Sequence, residues 1–154
     1  MTESTAATPP VTEARYAGWG SRVVAVIIDA IPNVAVFVGL TAAYGTSTAS
    51  AGSASFQLSG GAAGAYFAFV IFWLIFNLLY LQGTKGQSIG KKILGVAIYK
   101  AGTTEPLGAG RTFGRQILHI VDAAPCLLGY LWPLWDKENR TFADMIVSSR
   151  AYKV

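Results

Sequence analysis

The stretch WGSRVVAVIIDAIPNVAVF, Trp19 to Phe37, reads as a helix suited to lipid, yet it carries an arginine and an aspartate. The apolar run it opens extends from Val23 to Tyr44, 22 residues, and about 20 suffice to cross roughly 30 Å of hydrocarbon. Arg22 stands at the entry of this run, where a long side chain can reach back to the headgroups. Asp29 lies about two turns deeper on the same face. A short carboxylate near the centre of a membrane helix costs about 2.5–3.5 kcal/mol on insertion scales. Asp29 must therefore be protonated, paired, or turned toward a polar cavity.

The composition supports a membrane reading of that stretch. The chain has 154 residues, of which 53% are hydrophobic and only 13% charged, with a mean hydropathy of +0.44. Soluble domains carry about 25% charged residues. The length allows one domain. The net charge of +4 does not argue for nucleic acid, because the placement of the cations carries more information than their sum. Cys126 is the single cysteine, which excludes an intrachain disulfide and a thiolate metal centre; no cofactor or metal site is expected. One histidine, one cysteine and scattered serines form no nucleophile–base–orienter set, so an enzyme is the least supported class.

Residues 1–15, MTESTAATPPVTEAR, are polar, contain Pro9-Pro10 and carry two glutamates before the first arginine. A secretory signal would open on basic residues ahead of a short apolar run. The expectation is a disordered cytoplasmic tail over 1–15, followed by a transmembrane domain over 16–154. The second apolar run, Ala62–Leu81, has Asn77 as its one strongly polar residue. Between the runs lies Gly45–Gly61, rich in small residues and free of charge. None of the twelve Lys and Arg residues falls in that loop. Cations accumulate on the cytoplasmic side, which places the N-terminus and Gln82–Arg115 inside and the loop outside.

The third apolar stretch, Gln116–Trp135, holds His119, Asp122, Pro125 and Pro133. Proline removes a backbone donor and clashes with the preceding turn, so a break is expected near Pro125. A full third crossing would carry Lys137, Arg140, Arg150 and Lys153 outside, against the charge rule; a re-entrant segment keeps them inside. Arg111, Arg115, His119 and Asp122 recur at spacings of four, four and three, one polar stripe if helical. Two helices with polar stripes at similar depth have reason to meet, giving an expected intramembrane cluster of Arg22, Asp29, Arg115, His119 and Asp122. Such a cluster fixes helix packing; alternatively it exchanges protons or cations, since an imidazole titrates near physiological pH.

Gly83–Lys92, GTKGQSIGKK, superficially resembles a phosphate loop. The glycines at 86 and 90 are one residue too close, and Lys92 stands where a hydroxyl must reach magnesium. A glycine-rich turn leaving the membrane, its lysines facing anionic headgroups, fits better. The following KKILGVAIYK supplies apolar and β-branched residues for a short strand or an interfacial helix.

Taken together, Arg22 and Asp29 in the first span, Gly83-Thr84-Lys85-Gly86 through Gly90-Lys91 to Gly95 after the second, and Arg140-Thr141 with Asp144 resemble the RDD family of small bacterial membrane proteins. The resemblance covers about Tyr16 to the C-terminus. It aligns Arg22 and Asp29 with the family's Arg and first Asp, and Asp144 with the second, Asp122 being the competing acid. Ala143 stands where the family usually has His, and IVSSRAYKV replaces its usual tail. The resemblance implies a membrane fold, and for some members cation/proton antiport has been suggested.

The expected fold is thus an all-α membrane protein with two transmembrane helices, a third bent and re-entrant segment, and a short cytoplasmic strand or turn. The expected role is a non-enzymatic accessory or scaffold in the bacterial inner membrane, with the bilayer and a partner membrane protein or a second copy as partners. The alternative is an oligomeric transporter of protons or monovalent cations.

Overall fold

The computed structural model describes residues 15–50, 52–124 and 127–154. Two 26-residue helices dominate it: α1, Trp19–Tyr44, and α2, Gly60–Lys85. Each spans about 39 Å at 1.5 Å per residue, more than the hydrocarbon thickness. Both are apolar on nearly every face, and Val26, Ile27, Ile31, Phe67, Ile71 and Phe72 are all more than half exposed. A helix apolar all round needs an apolar surrounding. The two run antiparallel: Phe37 packs edge-on against Tyr66, while Trp73 Nε1 donates to the Asp29 carbonyl at 2.9 Å.

α2 is not uniform. From Leu74 to Leu81 it widens into π-helical geometry before closing on a last α-helical turn, Gln82–Lys85. Widened turns of this kind are rare and often re-aim side chains at functional positions. Here the widened segment carries Asn77, which is fully buried against α1.

The charge-free loop is a hairpin rather than an irregular connection. β1, Thr46–Ser50, pairs antiparallel with β2, Ser53–Gln57. At the other end of the long helices the chain builds a polar cap. It contains α3, Ile89–Ile93, and β3, Val96–Lys100. α4, Ala109–Ala123, follows, then the short helix α5, Leu128–Leu134, α6, Phe142–Ile146, and β4, Ser149–Lys153.

The strand expected in KKILGVAIYK is present as β3, but its partner is the C-terminal β4, from Val96 opposite Lys153 to Lys100 opposite Ser149. The chain is therefore helical with two small sheets, not all-α. The N-terminal residue of the described chain joins this sheet: the Arg15 carbonyl accepts from Lys153 N, and Ala17 N donates to the Ala151 carbonyl, both at 2.8 Å. Arg15 is thus ordered, while the remainder of the expected tail lies outside the described residues. Ala17, Val96, Ile98, Leu107 and Ala151 form the small apolar core of the cap.

The third apolar stretch is bent, with α4 and α5 inclined by 107°. α4 ends at Ala123; the expected breaking residue, Pro125, lies outside the described residues, as does Cys126. α4 is amphipathic in an inverted sense. Thr112, Arg115 and Asp122 are buried, whereas Phe113, Ile117, Ile120 and Val121 are exposed. Its polar stripe faces protein and its apolar side faces outward.

Candidate functional site

The polar stripe of α4 meets α6 and the start of α1 around one carboxylate. Asp144 is completely buried. Its Oδ2 accepts from Arg22 Nη1 at 2.8 Å and from Thr141 N at 3.2 Å. Its Oδ1 accepts from Arg115 Nε at 2.7 Å and Ser149 Oγ at 2.8 Å. Thr141 caps α6 in return, its hydroxyl accepting from Asp144 N at 3.1 Å. This reciprocal arrangement is a capping box, with Asp in place of the usual Glu. Burial alone would push the Asp144 carboxyl up, but the guanidiniums of Arg115 and Arg22 hold it well below the usual carboxylate range.

Asp29 is held differently. Among the described residues it has no arginine partner. Asn77 Nδ2 donates to its Oδ1 at 2.8 Å, as does Gly90 N at 2.7 Å, and Ser88 Oγ donates to its Oδ2 at 2.5 Å. Hydrogen bonds to a charged group contribute about 1.5–3 kcal/mol each, so three of them offset the insertion cost of the carboxylate without a salt bridge. Arg22 does not reach it: seven residues of helix separate the two by about 10 Å along the axis. Asn77 is held in turn, its Oδ1 accepting from Ile89 N at 2.9 Å.

His119 and Asp122 form a third group within α4, Nδ1 to Oδ2 at 2.6 Å. The other Asp122 oxygen accepts from Ala143 N at 3.2 Å, tying α4 to α6. The His119 ring stacks on Tyr130 at 5.4 Å between centroids. The five residues expected in one cluster are thus shared among three groups. Arg22 and Arg115 meet on Asp144, His119 and Asp122 meet each other, and Asp29 binds α2 and α3.

The glycine-rich motif explains the approach of the cap to α1. A Cβ on Gly90 would collide with the Ala25 carbonyl oxygen, so only glycine lets α3 come close enough for its amide to reach Asp29. Gly86 ends α2 at φ +72°, and its carbonyl accepts from Ile98 N at 2.7 Å, linking helix to sheet. Gly83 and Gly95 bond through their carbonyls to Gly108 and Val154. The Thr84 hydroxyl donates to the Tyr80 carbonyl. Arg140 stays outside the network, paired with Asp136 and Glu138, and Arg111 is exposed.

Lys91 departs from expectation. It does not face outward to headgroups but is buried, its Nζ donating to Ser88 Oγ at 3.3 Å. Burial and then the nearby Arg115 lower its pKa from 10.5 to about 8, against the opposing pull of Asp29. The unfolded chain then binds more protons than the folded one between these two values, so stability rises with pH across that window. Chemical denaturation of detergent-solubilised protein should record this rise, and Lys91→Met should flatten it.

Beside these groups lies a cavity of about 570 Å³ whose wall includes Arg22, Asp29, Asn77, Lys91, Arg115 and His119. Ser88 and Ser149 were not legible as site residues. Ser88 precedes α3 as its N-cap, a position that favours serine, and that was the signal available. Ser149 bonds Asp144 only five residues away, but no motif at that spacing marks it.

The sequence pattern of the RDD family matches residues 16–148. This chain belongs to the RDD family. The match takes in the Arg22, Asp29, glycine-rich and Asp144 positions described above. Among relatives, the RDD chain is similar to the proline-rich antigen homolog of Mycobacterium tuberculosis, 42% identical over 77 residues, which is 50% of this chain and 32% of that protein. It is also similar to the proline-rich antigen of Mycobacterium leprae, 40% identical over 77 residues, 50% of this chain and 31% of that protein. The matched stretch thus spans about a third of the length of these relatives. No solved structure matches the chain.

Proposed function

We propose that this RDD protein is a non-enzymatic, multi-pass accessory or scaffold of the bacterial inner membrane, with α1 and α2 crossing the bilayer and the polar cap in the cytoplasm. The observation that carries the reading is that the acids Asp29, Asp122 and Asp144 each accept from donors of the chain itself, the last two while fully buried. The charges are arranged to lock the cap onto two lipid-facing helices. The inverted amphipathicity of α4 suits a segment lying in the interface with its apolar side in lipid, as re-entrance requires. All cations lie at the cap end and none in the opposite hairpin, in keeping with a cytoplasmic N-terminus.

Cysteine labelling in a Cys126→Ser background tests the placement. Thr48→Cys in the hairpin should react with an impermeant maleimide on intact cells, and exposed Val154→Cys only after permeabilisation. Equal labelling of both in intact cells overturns the topology.

The cavity supports a second reading, transport of protons or monovalent cations by an oligomer, because Asp29, Lys91 and His119 share its wall. Proteoliposomes separate the two. A flux under an imposed gradient, lost in a folded Asp29→Asn protein, establishes transport and sets the scaffold aside; absence of flux in the intact protein removes the transport reading.

A further inference from the structure

The cavity wall is richer in cation than its hydrogen bonds use. Arg22 gives Nη1 to Asp144, but its Nε and Nη2 are buried and have no partner among the described residues. The buried ammonium of Lys91 meets a serine hydroxyl at 3.3 Å. Arg115 lines the same space. Asp29, the carboxylate on this wall, already accepts from three neutral donors. Buried guanidinium and ammonium donors left open are costly, and their natural complement is an oxyanion that accepts several charge-assisted hydrogen bonds.

The opposite side of the cavity says how that oxyanion arrives. Val26, Ile27 and Leu74 line it and are also strongly exposed, so it opens on the apolar flank between α1 and α2. A free aqueous anion approaching there would have to cross hydrocarbon. A lipid already in the bilayer would not.

We propose that this cavity binds an anionic phospholipid, its phosphate held by Arg22 and Lys91 and its acyl chain lying along Val26, Ile27 and Leu74. The proposal rests on the reading that α1 and α2 cross the bilayer, which cysteine labelling tests separately. A correctly oriented protein without lipid preference sinks only the lipid site.

Native mass spectrometry and thermal melting of the full chain in neutral detergent test the proposal with phosphatidylglycerol, phosphatidylcholine and inorganic phosphate. Phosphatidylglycerol should bind about tenfold more tightly than phosphatidylcholine and raise the melting temperature, because both phosphates are anionic but the choline ammonium sets a like charge beside Arg22 and Lys91, which phosphatidylglycerol lacks. Arg22→Gln removes a partner of Asp144 and is unsuited to the test if it fails to fold. Lys91→Met keeps the volume and removes a buried charge, and Ala30→Trp fills the cavity from an exposed position; both should fold and lose the preference. Equal binding of the two lipids, full preference in both variants, or equal stabilisation by inorganic phosphate overturns the proposal.

Discussion

Asp144→Asn is expected to lower the unfolding free energy by about 3–5 kcal/mol, the usual cost of stripping one member from a buried ion pair. The reason lies in the geometry. Arg22 and Arg115 approach the same carboxylate from α1 and α4, and neutralising it leaves two guanidiniums close together without their shared counter-charge. An amide keeps the size, so no cavity confuses the measurement. Equilibrium unfolding in mixed micelles reads the loss, and a change below about 1 kcal/mol would mean that the pair behaves as an exposed one. Adding Arg115→Leu should restore part of the lost stability, since the two sites share a partner and their effects cannot add.

The same variant should change the acid response. A carboxyl held below its unfolded value contributes stability that is complete above that value, about 3.9, and is lost as pH falls toward the folded one. Acid unfolding of the parent should therefore steepen below about pH 4, and Asp144→Asn should lack that contribution.

Gly90→Ala should be the second severe substitution, at about 3 kcal/mol. The added carbon meets the Ala25 backbone oxygen, an atom that cannot rotate away, so α1 and α3 must separate. Overpacking alone costs about 1–3 kcal/mol. Separation also weakens the 2.7 Å bond from Gly90 N to Asp29, and a bond to a charged group contributes about 1.5–3 kcal/mol. Gly64→Ala is the control: an added Cβ there meets nothing, and helix propensity favours alanine by about 1 kcal/mol. Equal melting of Gly90→Ala and parent protein would show that the close approach of α3 to α1 does not contribute to stability.

Much of the helical architecture was legible in the sequence because its signal is local. Twenty or more consecutive apolar residues announce a long lipid-compatible helix whatever they pack against, and the clustering of cations at one end needs no tertiary information. The polar stripe of α4 was readable for the same reason, since helical periodicity places Arg115, His119 and Asp122 on one side. The hairpin β1–β2 was missed: Ser, Thr and Ala runs without alternating hydrophobicity carry almost no strand signal.

What the sequence by itself determined, then, is two apolar helices, a cationic end, and the requirement that Asp29 be protonated, paired or turned toward a polar cavity. Only the tertiary structure decided which donors it meets. Arg22 and Asp144 are 122 residues apart, β3 finds β4 with partners 49 to 57 residues away, and Asp29 draws on a widened turn of α2 and the amide of Gly90. Charge and hydrogen-bond partners are chosen by distance in space, and periodicity along one segment cannot reveal which distant carboxylate an arginine meets. The arginine and the aspartate that stand together in the first helix therefore answer to different partners, one in the C-terminal cap and one at the end of the second helix.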